Sequence, residues 1–232
     1  MSTLPKLETA KYDVVVPSTG QEVQIRPFLV KEEKLLLLAQ ESNNAKQIVR
    51  TMQEIIEACS FKKINTKELT SYDVEFLFLR LRAISVGETA DLKFKCEKDG
   101  VENDVQINLM DIEVKYPEKK VSERIQLTDD IGVVLKPLSL DTMAEIDNSD
   151  DVIKNIAVII DSVYDKDDVY PAKNTPSKDL HEFIESLNHT QIEMIQEYLT
   201  SQPKLSHTVE FKCVECGHIN KITLEGLQSF FI

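Results

Sequence analysis

The sequence predicts an α+β protein made of two similar halves, each with β-hairpins, a helical segment and a cysteine-bearing hairpin. Short β-prone runs alternate with longer segments of helical periodicity, and their order recurs in the second half of the chain. The closest match pairs Phe94-Lys-Cys96 and Gly100 with Phe211-Lys-Cys213 and Gly217. We call residues 96–100 the first knuckle and residues 213–217 the second knuckle.

The first half contains a hairpin, three helices and a second hairpin, with boundaries set by apolar periodicity and turn residues. The predicted elements are strands Tyr12–Val16 and Glu22–Arg26, helices Val30–Gln40, Ala45–Cys59 and Ser71 or Asp73 to Ile84, and strands Ala90–Cys96 and Asp104–Leu109. Cys59 continues the apolar stripe of its helix, which predicts a core thiol and not a metal ligand. Residues 1–10 are expected to form a disordered or partner-dependent tail.

The second half repeats this order. The predicted elements are strands Arg124–Leu127 and Gly132–Lys136, helices Leu140–Asp147, Val152–Tyr164, Ser177–Leu187 and Thr190–Leu199, and strands His207–Cys213 and Asn220–Thr223. The turn-rich segment 165–176 has no counterpart in the first half and can absorb the difference in spacing between the halves. The pattern predicts an internal duplication, with an N-terminal repeat at 1–120 and a C-terminal repeat at 121–232.

Composition excludes several classes of protein. The net charge of −13 opposes nucleic-acid binding, which needs a basic surface for phosphate. The sequence has neither the apolar region of a signal peptide nor a run of 18 apolar residues, so we expect no membrane insertion. Four cysteines without a secretory signal indicate reduced thiols or metal ligands in a reducing cytoplasm.

The knuckles supply the one predicted metal site. Zinc ribbons take four donors, usually from two Cys-x-x-Cys pairs, and the matched positions here are Cys96, Asp99, Cys213 and Cys216. Asp99 stands where a fourth cysteine is expected, and His207 or His218 could replace it. Three alternatives stay open, namely a structural zinc, a metal-free turn and a redox pair. The redox pair is disfavoured because such motifs begin a helix.

Catalysis has no support in the sequence. A P-loop, a Gly-rich dinucleotide turn, a Gly-x-Ser-x-Gly motif and a His-Glu-x-x-His motif are all missing. We therefore expect neither enzymatic activity nor a small-molecule substrate. Docking of partner proteins is predicted instead, through two apolar segments whose alternative is burial in the protein's own core. These segments are Leu35, Leu36, Leu37 and Leu38, and Phe230, Phe231 and Ile232.

Three stretches resemble the T4-like bacteriophage baseplate protein family of hub subunits and hub assembly proteins. They are Ile25-Arg-Pro-Phe-Leu-Val-Lys-Glu-Glu-Lys-Leu-Leu36, Ile55-Ile-Glu-Ala-Cys59, and Phe211-Lys-Cys-Val-Glu-Cys-Gly-His218 with the terminal Phe-Phe. The resemblance implies a non-enzymatic component that forms or helps to assemble the baseplate hub. It implies phage baseplate or hub proteins as partners, and a location in the host cytoplasm during assembly and in the virion. The alternative function is a zinc-ribbon adaptor in transcription or nucleic-acid processing.

Overall fold

The computed structural model describes residues 7–42, 44–119, 121–146 and 151–227, and within these ranges the protein is α+β, as predicted. The helices are α1 (Val30–Glu41), α2 (Ala45–Cys59), α3 (Ser71–Val86), α4 (Leu140–Glu145), α5 (Val152–Ile159), α6 (Ser177–Glu185) and α7 (His189–Thr200). The strands are β1 (Tyr12–Val15), β2 (Glu22–Ile25), β3 (Thr89–Lys95), β4 (Glu102–Asn108), β5 (Glu113–Lys115), β6 (Arg124–Gln126), β7 (Gly132–Leu135), β8 (Ile160–Tyr164), β9 (Val169–Pro171), β10 (Lys204–Lys212) and β11 (Ile219–Glu225).

The chain forms two compact units. The first contains the described residues of Met1–Lys115 and Lys204–Ile232, and the second consists of those of Tyr116–Pro203. These units differ from the predicted repeats at 1–120 and 121–232, because β10 and β11 pack with the N-terminal part of the chain. Packing does not test a duplication of sequence, so the two repeats stay a prediction.

The first unit contains three small antiparallel sheets. Two are hairpins, β1–β2 and β3–β4, and the third has the strand order β11–β10–β5. In this third sheet, Lys204 at the start of β10 is paired directly with Lys115 at the end of β5. The second unit is therefore inserted between two residues that are neighbours in one sheet.

Helices α2 and α3 build the core of the first unit. Helix α2 begins at Asn44, whose side chain accepts the Gln47 N–H at 3.2 Å, and its apolar stripe predicted its bounds correctly. Cys59 at its end is fully buried, which confirms the predicted core thiol, and burial raises the pKa of this thiol to about 11. Other buried residues of this unit lie on α2, α3 and β2. They include Ile25, Ile55, Ile56, Val74, Leu77, Leu79 and Leu81.

Helix α1 turns a polar residue towards the core. Glu32 is only 3% exposed, and its carboxylate accepts from the Arg26 guanidinium at 3.0 Å and from the Leu29 N–H at 2.7 Å. The hydrogen bond from Arg26 and the one from the Leu29 N–H oppose the effect of burial, and the pKa of Glu32 is lowered. A buried charge is tolerated only when it is paired in this way.

The second unit packs its helices against the four-stranded antiparallel sheet β6–β7–β8–β9. Its core contains Ile125, Val133, Leu135, Leu138, Ile156, Ile159, Ile160, Leu180, Ile184, Ile195 and Tyr198. Gly132 on β7 leaves room for the Tyr164 ring, since a β-carbon at this position would lie 2.6 Å from the Ile125 carbonyl oxygen and closer still to the Tyr164 hydroxyl.

One predicted helix is wrong in its second half. The segment 152–164 is helical only to Ile159, and Ile160–Tyr164 forms β8 between β7 and β9. β-branched and aromatic residues favour a strand where partners exist on both sides, and this pairing overrides the local helical periodicity. Strands β5 and β9 were not predicted. Residues 1–6 of the predicted tail at 1–10 and the predicted helix end at Asp147 lie outside the described residues, and residues 7–10 form neither helix nor strand.

Candidate metal centre

The two knuckles adopt the same backbone conformation. In the first, the Gly100 N–H donates to the Cys96 carbonyl at 2.9 Å, and in the second the Gly217 N–H donates to the Cys213 carbonyl at 3.1 Å. Gly100 has a φ of 73° and Gly217 a φ of 68°, a left-handed conformation that favours glycine. The matched glycines of the sequence therefore have a structural cause.

The fold brings the four predicted metal donors together. The ligand atoms of Cys96, Asp99, Cys213 and Cys216 all lie within 4.8 Å of one another. Cys96 and Cys213 are buried at 2% exposure, whereas Asp99 and Cys216 are exposed. All four belong to the first unit, and the donors come from two hairpins that are remote in sequence.

Two of the donor separations match the edges of a tetrahedral zinc site. Bonds of about 2.3 Å to sulfur and about 2.1 Å to oxygen give tetrahedral edges of about 3.8 Å between two sulfurs and about 3.6 Å between sulfur and oxygen. The Cys96 and Cys216 sulfurs are 3.7 Å apart, and the Cys213 sulfur lies 3.5 Å from Oδ2 of Asp99. Three thiols and one carboxylate are a donor set that zinc accepts.

Asn103 on β4 reaches from the first hairpin to the second knuckle. Its Oδ1 accepts the Val214 N–H at 2.9 Å, and its Nδ2 lies 3.9 Å from the Cys213 sulfur as a weak donor. The side chain is 3% exposed, so these contacts are shielded from water.

Asn220 on β11 makes the same contacts in the opposite direction. Its Oδ1 accepts the Glu97 N–H at 3.0 Å, and its Nδ2 lies 3.6 Å from the Cys96 sulfur. Asn220 is fully buried. Amides that donate to a thiolate orient it and spread its charge, which is the task of residues that support metal ligands.

A pair of aromatic rings extends the relation between the hairpins. Phe94 and Phe211 each precede a knuckle cysteine by two residues, and their rings stack with centroids 5.7 Å apart at an interplanar angle of 23°. This geometry is favourable for aromatic pairs. The two hairpins therefore contact each other through equivalent residues at three levels, the rings, the donors and the asparagines.

The pKa values of the donors are shifted in different directions. Hydrogen bonding from the Cys216 thiol, helped by the Val101 N–H, lowers the pKa of Asp99 to about 2. The same contact with Asp99 raises the pKa of Cys216 to about 12. The backbone N–H of Cys216 lowers the pKa of Cys213. A cation at this point would replace the thiol protons, because metal-bound cysteine is the thiolate.

Neither histidine that could have replaced Asp99 belongs to the donor group found among the described residues. The Cys213–Cys216 pair lies between two strands, β10 and β11, and not at the start of a helix. Asn103 and Asn220 were missed by the sequence analysis. Their signal was available, since each asparagine follows its knuckle cysteine by the same number of residues.

The leucines predicted to bind partners lie on α1. Leu35, Leu37 and Leu38 are 47%, 54% and 49% exposed, and Leu36 is half-buried. Val30 on the same helix is 80% exposed. The other predicted docking segment, with Phe230, Phe231 and Ile232, lies outside the described residues.

The chain is similar to bacteriophage baseplate proteins over nearly its whole length. The family described as T4 bacteriophage base plate protein matches residues 9–232. Baseplate hub assembly protein gp26 of Enterobacteria phage T4 is 25% identical over 223 residues, covering 95% of this chain and 97% of that protein. No solved structure matches the chain. Within the described ranges, no helix is long and apolar enough to cross a membrane.

Proposed function

The chain belongs to the T4 bacteriophage base plate protein family, and on this premise we propose that it is a non-enzymatic structural or assembly component of a tailed-phage baseplate hub. The observation that carries the proposal is the similarity to a baseplate hub assembly protein over nearly the full length of both chains. The protein acts by binding other baseplate or hub proteins in the host cytoplasm during assembly, and the family supports a place in the tail baseplate.

Helix α1 is the proposed docking surface for a hub partner. Its buried side is formed by Glu32 and Ala39, which leaves Leu35 and Leu38 adjacent on an exposed face, one helical turn apart. About half of the surface of each of these two leucines is exposed and open to a partner. Their burial against a partner would contribute on the order of 1 kcal/mol or more each.

The test is complex formation by the double variant Leu35→Asp, Leu38→Asp with the hub proteins of the same phage. We expect the variant to keep the circular dichroism spectrum of the parent and to lose the complex in size-exclusion chromatography. Val86→Asp is the matched control, since Val86 is 61% exposed on a different helix of the first unit. An undiminished complex with the double variant would remove α1 from the interface.

The knuckles are proposed to hold one structural zinc, bound by Cys96, Asp99, Cys213 and Cys216. Two donor separations that match tetrahedral edges support this assignment, as does the grouping of all four ligand atoms within 4.8 Å of one another. The ion would link two hairpins of the first unit and so contribute to its folding free energy. The competing alternative is a metal-free turn that is held by the asparagine contacts and the stacked rings alone.

Elemental analysis of purified protein separates these two alternatives. We expect about one zinc per chain in the parent and none in Cys213→Ser, because a tetrahedral site loses its geometry without this thiolate. Cys59→Ala is the control, since Cys59 is buried in the core away from the donor group. A folded parent protein that contains no zinc after expression in zinc-supplemented medium contradicts the assignment.

We further propose that the two repeats arose by duplication, and that each knuckle hairpin is a copy of the other. Residues 94–103 and 211–220 have equal length and share Phe, Lys, Cys, Gly and Asn at equal positions. A chimera that carries the second stretch in place of the first should fold and bind zinc through four cysteines. Loss of the fold in this chimera would contradict the equivalence of the two hairpins.

The alternative function, a zinc-ribbon adaptor in transcription or nucleic-acid processing, finds no favourable observation. The net charge of −13 opposes contact with phosphates. Retention on DNA that weakens with salt would revive this alternative.

A further inference from the structure

A groove of about 380 Å³ opens on the surface of the second unit. Its apolar lining includes Val163, Tyr170, Leu180 and Phe183, and Asp165 and Asp179 also line it. Tyr170 is 47% exposed and Leu180 is buried, so the lining combines accessible and buried apolar side chains. An opening of this size with an apolar lining and few polar groups is typical of a binding site.

Hydrogen bonds fix the position of the Asp165 carboxylate, which lines the groove. Oδ1 of Asp165 accepts the N–H groups of Asp167 and Asp168 at 2.9 and 2.8 Å, and Oδ2 accepts the Tyr170 hydroxyl at 2.9 Å. These hydrogen bonds, led by the Asp168 N–H, lower the pKa of Asp165, so the carboxylate is charged at neutral pH. Asp179 contributes a second carboxylate from the first turn of α6. Two negative charges therefore lie among the apolar residues that line the groove.

The net charge of the protein is concentrated in this unit. Residues 116–203 contain 18 Asp and Glu against eight Lys and Arg, whereas the remainder of the chain contains 22 against 19. This distribution favours a basic occupant of the groove over a second copy of the chain. A second copy of the chain would bring like charges together, which opposes its association. A basic segment is attracted by the same field, and its binding becomes faster as well as tighter.

We propose that the groove binds a basic segment of a partner protein, in which one apolar side chain enters the groove and flanking Lys or Arg side chains meet Asp165 and Asp179. The surface is distinct from α1 and is formed entirely by the second unit. The apolar residue provides the anchor and the charges provide orientation, which is the usual division between the centre and the rim of an interface. An open groove suits such a segment better than a small molecule, which a pocket must largely enclose.

The probe is a set of fluorescein-labelled peptides in which Lys and Arg residues flank a central Phe, Leu or Ser. Binding is followed by fluorescence anisotropy at low and at physiological salt. We expect saturable binding of the Phe or Leu peptide, and binding of the Ser peptide that is weaker by about tenfold or more. Tyr170→Ser removes part of the apolar wall and should weaken the Phe and Leu peptides while leaving the Ser peptide unchanged.

Charge is tested by a matched pair of variants on α6. Asp179→Lys and Glu185→Lys make the same change in net charge at exposed positions of one helix, but only Asp179 lines the groove. We expect Asp179→Lys to weaken binding about tenfold and Glu185→Lys to weaken it about twofold or less. Equal losses from the two variants overturn the proposal, because they would show attraction to the overall charge alone.

Three further outcomes also overturn it. One is the absence of saturable binding by the Phe and Leu peptides at low salt. Another is equal affinity for the Phe, Leu and Ser peptides. The third is a concentration-dependent dimer in sedimentation velocity that Tyr170→Ser dissociates, since the occupant would then be a second copy of the chain. Each variant is first compared with the parent by circular dichroism and thermal unfolding. If Tyr170→Ser unfolds, Ile131→Ser replaces it, since Ile131 also lines the groove and is exposed.

Discussion

Asn103 and Asn220 make equivalent contacts, each in the hairpin that contains the other. Asn103 accepts a backbone N–H at 2.9 Å in the second knuckle, and Asn220 accepts one at 3.0 Å in the first. Both are buried, and both direct their Nδ2 atoms at a knuckle cysteine of the opposite hairpin. The exchange makes each knuckle dependent on the other for its backbone hydrogen bonding and for the environment of its thiol.

Substitution of either asparagine by alanine should therefore weaken zinc binding to a similar degree. Loss of a residue that supports a ligand costs about 10- to 100-fold in metal affinity. Competition with a chromophoric chelator measures this change for Asn103→Ala and Asn220→Ala. Thr223→Ala serves as the control on β11, where the exposed Thr223 places its hydroxyl 3.2 Å from that of Thr208 across the hairpin. An unchanged affinity in both asparagine variants would show that the contacts do not serve the metal.

Asp99→Cys should convert the donor set to four sulfurs and increase the affinity for zinc. Thiolate is a better zinc ligand than an exposed carboxylate, and position 99 is equivalent to Cys216 of the second knuckle. Substitution with cobalt provides the measurement, since absorption from thiolate-to-cobalt charge transfer grows with each added sulfur. Asp104→Cys adds a thiol at an exposed position on β4 and should leave the spectrum unchanged. Equal spectra for parent and Asp99→Cys would place position 99 outside the coordination sphere.

Glu75 on α3 should make stability depend on pH between about 4.5 and 6. Burial raises the pKa of Glu75 to about 6, against 4.5 for an ordinary glutamate, although the Leu227 N–H opposes this effect. A raised pKa means that the folded state holds the proton more tightly. This stabilisation is complete below the unfolded pKa and is lost as the pH rises through the folded pKa.

The corresponding variant is Glu75→Gln, which keeps an acceptor for the Leu227 N–H and removes the charge. Its free energy of unfolding in urea should exceed that of the parent by about 2 kcal/mol at pH 8 and by nothing near pH 4. Glu88→Gln, at an exposed position just after α3, should show no such difference between the two pH values. A Glu75→Gln variant that is less stable than the parent at pH 8 would contradict the raised pKa.

Gly132→Ala should destabilise the second unit by about 1–3 kcal/mol or more, the cost of overpacking. The added methyl group would overlap the Tyr164 ring and the Ile125 carbonyl, and the backbone of β6 cannot move away without breaking its pairing with β7. Chemical denaturation followed by intrinsic tyrosine fluorescence measures the loss. Tyr164→Phe should give no rescue, because the ring carbon would still overlap. A Gly132→Ala protein as stable as the parent would require a rearranged β6–β7 hairpin.

Elements with local signals were predicted well from the sequence. Helix α2 has an asparagine cap and an unbroken apolar stripe, and its predicted bounds agree with those of the structure. Strand β8 depends on a partner instead. Its residues continue the helical periodicity of α5, and only pairing with β7 and β9 makes them a strand. Information about such pairing is spread over distant parts of the chain, so a local pattern cannot supply it.

In the candidate site, too, some residues could be predicted from the sequence, whereas others depend on contacts between distant parts of the chain. The four donors were predicted from matched positions in the two hairpins, and the structure places their ligand atoms together. The asparagines were overlooked because a buried amide gives no chemical signal until the group that it contacts is known. The exposed state of Leu35 and Leu38 also depends on packing, since their sequence is equally compatible with a buried helix.

The pairing of Lys115 with Lys204 has consequences for deletion of the second unit and for the order of folding during synthesis. The ends of β5 and β10 are adjacent, so a two-residue turn could close them into a hairpin in place of residues 116–203. Deletion of residues 116–203 should therefore leave a shortened chain that retains the knuckle hairpins. During synthesis on the ribosome, β3 and β4 emerge long before β10 and β11, because the second unit lies between them in the chain. Cys96 and Asp99 can therefore meet Cys213 and Cys216 only after the entire inserted unit has been synthesised.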